Sequence, residues 1–200
     1  YLGRGFAYAA STELVNQPDG SAGLNPELKP QYSTTVEVGF KGLLINRVQF
    51  DAAIFDIGVR DEIIPFEAPG GNGRTFFRNA GRTRRQGVEL QASTGVSALE
   101  LDLSYSYSRF RFRDFLAATA QFAGNTIPGI PLQQLQASAT WRASHGFATL
   151  EGALKSRVFV NDANTATADG FTVVNARVGG VAPLGRSWFS PVVCVQILFD

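Results

Sequence analysis

Apolar and polar residues take turns along several long stretches of this 200-residue chain. Thr35-Val36-Glu37-Val38-Gly39-Phe40-Lys41 puts an apolar residue at every second position, and Gly87 to Ser93 repeats the pattern. Leu99 to Tyr107 follows it too, as does Gln134 to Arg142. A period of two sends successive side chains to opposite faces of a sheet, and helical spacing fits none of these stretches better. The chain is expected to be all-β.

A soluble sandwich would alternate as well, so the connections decide between architectures. Short ones fall near Gly42 to Asn46, Gly95 to Ala98, Ala143 to Gly146 and Pro183 to Arg186. Longer polar ones fall near Ala9 to Gln31, Pro65 to Thr75, Leu116 to Thr126 and Asn161 to Asp169. Strict alternation of short with long is the habit of an antiparallel up-and-down transmembrane β-barrel, with tight periplasmic turns and long extracellular loops. The expected strands are 1–6, 32–42, 47–64, 76–94, 99–115, 128–143, 147–160, 170–182 and 187–199. They number about nine. Glu89, Gln91, Glu100, Asp102, Gln134 and Gln136 would face a wet lumen, their apolar neighbours would face lipid, and Tyr105, Tyr107, Trp141 and Trp188 suit the interfaces. In Arg109-Phe110-Arg111-Phe112-Arg113 the aromatics take the opposite parity from Leu101 and Leu103. Either a bulge shifts the phase or this part stands above the membrane, and the second reading is preferred.

Composition narrows the rest. A net charge of +1 gives no reason to expect nucleic acid as a partner. No apolar run approaches the ~18 residues of a membrane helix. With no methionine and no apolar leader in Tyr1 to Ala10, the chain is expected to be processed or a fragment. The single cysteine, Cys194, sits in an apolar run and is expected to be a small buried hydrophobe.

Several stretches resemble the TonB-dependent receptor family of Gram-negative outer membranes. Gly3-Arg4-Gly5-Phe6, Ser11-Thr12-Glu13-Leu14 and Asn25-Pro26-Glu27-Leu28-Lys29-Pro30 resemble the surface loop that opens the C-terminal third of such barrels. Asn79-Ala80-Gly81-Arg82-Thr83-Arg84-Arg85-Gln86-Gly87-Val88-Glu89-Leu90 resembles the family's "NAG…RGVEL" strand. Asn125 to Pro131 is similar to "GNRLPGVP", and Val195 to Asp200, with Leu198-Phe199-Asp200, to "NLFD". Asn79 to Leu90 and Asn161 to Ala166 look most like the branch that includes the pyrroloquinoline-quinone receptor.

The resemblance implies a multi-pass barrel in the outer membrane that takes up a scarce ligand with energy from TonB. The ligand would be a siderophore, a metal chelate or an anionic cofactor. Residues 1–200 would be the C-terminal part of a barrel of about 22 strands. The N-terminal box that meets the TonB complex, the plug and the closing strand would lie outside it, so folding alone is not expected. Partners would be outer-membrane lipid, lipopolysaccharide and a small molecule at the extracellular loops. The alternatives are a non-transporting remnant, a small structural barrel, or a soluble β-sandwich, which the sorted loop lengths disfavour.

Ligand candidates are Arg74 and Arg78 with Phe76 and Phe77 at the presumed extracellular end. Arg109, Arg111 and Arg113, with Phe110, Phe112 and Phe115, offer an aromatic-basic surface for a planar anion or for lipopolysaccharide phosphates. Arg82, Arg84 and Arg85 are expected mainly to pair with Glu89, Glu100 and Asp102 across the wall. The family motif rests on Asn25, Pro26, Lys29, Pro30, Asn79, Ala80, Gly81, Arg85, Gly87, Glu89, Leu198, Phe199 and Asp200. His145 reads as an exposed turn residue with no metal ligand set around it. Asp61-Glu62 and Asp162/Asp169 lack EF-hand spacing, Gly70 to Gly73 is a loop tip, and no nucleophile–base pair is evident. Neither an enzyme nor a cofactor is expected.

Overall fold

The computed structural model describes residues 1–15, 17, 23–67, 75–79, 81–117 and 120–199. Among these, nine antiparallel strands form a single sheet in the order in which the chain visits them. They are β1 (Leu2–Ala7), β2 (Gln31–Leu44), β3 (Val48–Arg60), β4 (Arg82–Val96), β5 (Leu99–Asp114), β6 (Gln133–Ala143), β7 (Gly146–Lys155), β8 (Phe171–Gly180) and β9 (Val192–Phe199). This is the up-and-down wall expected from the alternation. Tight turns join β2 to β3, β4 to β5 and β6 to β7 at one end, and the long connections gather at the other. At the first tight turn the Arg47 N–H donates to the Leu44 carbonyl at 3.1 Å. Ile45 and Asn46 both take positive φ there, 52° and 54°, the geometry whose twist matches that of the flanking strands.

Several expected strands are longer than the wall segments they contain. The strand expected over 47–64 leaves the wall at Arg60, where Asp61 takes φ 56°. Ile63–Glu67 then pairs with Thr75–Asn79 as a separate hairpin, and the wall resumes at Arg82. Beyond β7, Val158–Phe159 pairs with Thr167–Ala168, and the β8–β9 connection is a ribbon of Ala182–Leu184 with Ser187–Phe189. Ribbons are themselves β-structure, so their alternation runs on from that of the wall and hides the break.

Cross-strand partners lie on the same face, so the register assigns each residue a side. One face carries Phe40, Ala52, Leu90, Tyr105, Leu135 and Leu154 in a single row across β2 to β7. The other carries Lys41, Asp51, Gln91, Ser104 and Gln136 one residue along. A hollow of about 1000 Å³ lies against this polar face, lined also by Asp102, Glu151 and Asn175. The polar face is the lumenal one, and Glu89, Glu100 and Gln134 stand on it as expected. A wall one residue thick has no interior for Cys194. It is exposed opposite Arg177 on the polar face, and is not the buried hydrophobe expected.

The two faces exchange character toward the long-connection end. The register between β4 and β5 is unbroken from Val96↔Leu99 to Thr83↔Phe112, and the bulge comes only beyond Phe112. The change of parity in Arg109 to Arg113 is therefore a change of surroundings. Below it, Leu101, Leu103, Tyr105 and Tyr107 point outward; above it, Arg109 and Arg111 do. On the inner side Phe110 and Phe112 replace Ser104 and Ser106. Past the apolar band there is water outside, and the inner side is covered by loops, so the polar and apolar positions swap.

Candidate functional site

The covered inner surface is where the long connections meet. Ile64, Phe112 and Phe115 form a buried cluster with Phe122 and Ile127 packed against it, and Phe112 and Phe115 are each only 1% exposed. Their rings lie 4.7 Å apart, with Phe122 5.6 Å beyond Phe115. Residues from the hairpin, from β5 and from the connection after β5 thus share one small core. In a chain that is otherwise a single layer, this core holds the loops in a defined shape.

Polar contacts fix the hairpin onto the wall. Glu62 is 5% exposed and accepts from the Thr83 hydroxyl and the Arg85 guanidinium, both on β4. The Arg85 guanidinium also lies over the Phe110 ring at 5.6 Å. Gly81 and Gly87 have no room for a side chain. A Cβ on Gly81 would strike the Asp114 carbonyl oxygen, and one on Gly87 would strike the Phe55 ring and the Tyr107 carbonyl oxygen.

Amide side chains stitch the loops to one another. Asn79 Nδ2 donates to the carbonyls of Lys29 and Asp61 at 2.8 and 2.7 Å, and its Oδ1 accepts from the Lys29 N–H at 2.8 Å. Asn25, 3% exposed, donates to the Phe77 carbonyl at 3.3 Å while its Oδ1 accepts from the Glu27 N–H across Pro26. Asn164 accepts from the Thr126 N–H at 2.7 Å and donates back to the Thr126 carbonyl at 2.8 Å. Asn125 Nδ2 donates to the Asp162 carbonyl at 2.9 Å. Asn and Asp suit these places because a short side chain with both donor and acceptor can stand in for a strand partner.

Arg78 and Asp162 join the hairpin to the connection after β7 at 4.0 Å, and Arg78 lies 5.0 Å above the Phe115 ring. Burial pushes the Asp162 carboxyl above the ordinary carboxylate range, with Arg78 opposing the shift. Burial also lowers Arg78 below the usual guanidinium value, with Asp162 opposing. For both partners desolvation exceeds what their separated pairing returns.

Among the residues expected to hold ligand, Phe76 is buried at 3% exposure, Phe77 is half-buried, and Arg78 is engaged as described. Arg111 lies on the outward face of β5, as does Arg109, and Arg113 is the extra residue of the bulge beside them. Phe76, Phe77 and Arg78 thus follow one another on the hairpin, where Arg78 reaches the loop core at Phe115, and Arg111 and Arg113 stand apart from them on β5. Arg74, Ala80, Asp200 and the Gly70 to Gly73 tip lie outside the described residues.

Of the remaining motif residues, Pro30 adjoins the start of β2, Glu89 is exposed on the lumenal face, and Leu198 and Phe199 pair with Val173 and Thr172. The arginine cluster pairs within the wall, but with other partners than expected. Arg82 meets Asp114, Arg84 meets Asp56 and Arg85 meets Glu62, while Glu100 takes Arg142 instead. The expected partners Glu89, Glu100 and Asp102 are on the lumenal face; Arg82 and Arg84 point outward. Sequence reasoning missed Asn164 and the pairing role of Glu62. The Asn-Asp-Ala-Asn run at 161–164 was a usable turn signal for the first. Among the described residues no three His, Cys, Asp or Glu side chains come together as a metal site.

The family model for "TonB dependent receptor-like, beta-barrel" matches residues 2–183. Among solved structures, the copper transporter OprC superposes with a TM-score of 0.69 at 19% identity, over 90% of this chain and 27% of its own. The ferric yersiniabactin uptake receptor FyuA from Yersinia pestis gives 0.65 at 17% identity, over 100% and 34%. The ferric citrate transporter FecA gives 0.66 at 18% identity, over 84% and 26%. The chain spans about a third or less of the length of these structures.

Proposed function

The chain belongs to the TonB-dependent receptor family through its β-barrel, in the Gram-negative outer membrane, and from this we propose that it supplies wall and ligand-capturing loops to a transporter energised by TonB. In this reading the nine strands are the C-terminal part of a larger barrel, a plug fills the lumen against the polar face, and TonB engages a region N-terminal to these residues. The apolar face meets outer-membrane lipid. The carrying observation is the buried loop core at one end of a polar-lined wall. Loops braced by Phe112, Phe115, Asn79 and Asn164 form a preshaped rim, and preshaping reduces the ordering a ligand must impose on binding.

The ligand class favoured is an anionic metal chelate, by likeness to the ferric yersiniabactin receptor and the ferric citrate transporter. Ferric siderophores and ferric citrate head the panel, with copper and pyrroloquinoline quinone beside them; the last rests on the likeness of Asn79 to Leu90 and Asn161 to Ala166 to that branch.

The test is uptake of each labelled ligand by cells expressing the full-length protein, with and without a working TonB. Accumulation that depends on both supports the reading. Accumulation indifferent to TonB, or none for any member of the panel, sinks it. In the second case a wall without transport is the better description.

A further inference from the structure

Arg78 and Asp162 face each other, yet each is held in place by other neighbours. Arg78 stands opposite Ile64 on the hairpin, with its guanidinium 5.0 Å above the buried Phe115 ring. Asp162 belongs to a tight turn in the connection after β7. There Asn164 takes φ 55° and its N–H donates to the Asn161 carbonyl at 3.1 Å. Asn161 Oδ1 accepts from the Thr165 N–H at 3.0 Å, and Asn125 Nδ2 donates to the Asp162 carbonyl at 2.9 Å. The backbone of Asp162 is thus secured without help from its carboxylate, which turns on its own side-chain torsions.

The contact between the two charges is loose. Arg78 Nη2 and Asp162 Oδ2 lie 4.0 Å apart, beyond hydrogen-bond reach. A guanidinium that meets an oxyanion freely closes to about 2.7–2.9 Å, often through two parallel bonds. Burial acts against both charges more strongly than their pairing helps. Arg78 is the charged group that bears on Asp162, and Asn125, which holds the turn from the connection after β5, is neutral. The two side chains keep 30% and 27% of their surface exposed, so a small solute reaches the pair without the core opening.

We propose that Asp162 is an internal stand-in for the ligand: its carboxylate occupies the oxyanion position of Arg78 until a carboxylate or other oxyanion of the ligand displaces it. The inference rests on the anionic-ligand reading above, and adds the residue that receives the charge and the one that competes for it. The exchange needs only a swing of the Asp162 side chain, while Phe115 keeps the guanidinium in place and the stitched turn keeps the loop. A neutral ligand gains nothing at this position, so the pair selects for charge.

The test is ferric citrate binding to the full-length protein in detergent, followed by calorimetry. No TonB is needed, so the result is separate from that of the uptake assay. D162N keeps the shape and removes the competing charge; it should bind about threefold to fivefold more tightly, as for release of a partly exposed ion pair. R78Q loses a charge-assisted bond and should bind at least about tenfold more weakly. A carboxylate that merely braced the loop would give D162N weaker binding. Equal or weaker binding by D162N, or unchanged binding by R78Q, overturns the proposal. A second measurement uses the unmodified protein. Carbodiimide labelling read by mass spectrometry should increase at Asp162 when sulfate replaces chloride at constant ionic strength, and stay level at Glu89, exposed on the lumenal face. Unchanged labelling of Asp162 rejects the displacement. If ferric citrate binds no form of the protein, the ligand reading is at fault, and the sulfate footprint alone decides; it decides likewise if D162N fails to assemble.

Discussion

Asn79 and Lys29 are joined by two hydrogen bonds, the side-chain amide of one meeting the backbone N–H and carbonyl of the other, both at 2.8 Å. The amide acts as an added strand residue, and a third bond at 2.7 Å ties it to the Asp61 carbonyl. The connection after β1 is thereby held to the hairpin after β3.

Asn79→Ala removes all three bonds and should loosen this junction by about 2–3 kcal/mol, at roughly 1 kcal/mol per bond. Asn79→Asp should do no better, since a carboxylate keeps the acceptor but turns two donor positions against carbonyl oxygens. Hydrogen exchange at residues 24–30, in the full-length protein, reads this directly. Unchanged protection in both variants would mean that the junction is held elsewhere.

Among the described residues, Glu62 is the acidic group set against Thr83 and Arg85. Glu62→Ala leaves a partly buried guanidinium without its counter-charge and should cost about 3 kcal/mol or more. The expected sign is early protease cutting in the hairpin, between residues 63 and 79. Glu62→Ala combined with Arg85→Leu should recover part of the loss; no recovery would show that Glu62 acts through something other than that pair.

The raised Asp162 carboxyl gives a pH dependence with a definite sign. Its folded-state pKa lies above the unfolded one, so the native loop binds the proton more tightly. Packing of residues 158–168 should be firmest below the ordinary carboxylate range and should weaken as pH rises through the raised value. Hydrogen exchange in this loop, corrected for intrinsic rates, should therefore slow on acidification, and Asp162→Asn should flatten the trend. A loop that loosens on acidification would contradict the assignment.

Gly87→Ala would drive a methyl group into the Phe55 ring and the Tyr107 carbonyl, and a backbone oxygen between paired strands cannot step aside. A penalty of about 1–3 kcal/mol or more is expected, read as loss of the compact form of the unboiled barrel on gels. Gly152→Ala on β7 meets nothing within 4 Å and serves as the matched control. Equal behaviour of the two would show that the wall is softer at Gly87 than its contacts imply.

The wall was legible from sequence because its signal is local. A strand with one wet face and one apolar face writes its alternation directly, as in Leu99 to Tyr107. The loop core was not legible, because it depends on register and on non-local partners. Nothing near Arg85 distinguishes Glu62 from Glu89 as its partner; the pairing appears only when the hairpin folds back over β4. Asp61 hid the end of β3 for a similar reason. It bends with a positive φ that gives no glycine or proline cue, and alternation continues on both sides. Asn79 and Gly81 stood out through family likeness, while their physical work, an amide splice and a backbone contact, needed coordinates.

The exchange of polar and apolar faces along β4 and β5 works as a waterline. To sink the wall by one row, about 6.6 Å, would carry Arg84, Arg109 and Arg111 into hydrocarbon. To raise it by the same amount would lift Tyr107, Val88, Ile54 and Val38 into water. Arginine on the lipid face costs little at the interface and about 2–4 kcal/mol at the midplane. Several such residues in adjoining strands resist displacement in both directions, so the draught of the barrel, and with it the height at which its loops ride above the membrane, is set by side chains that touch no ligand.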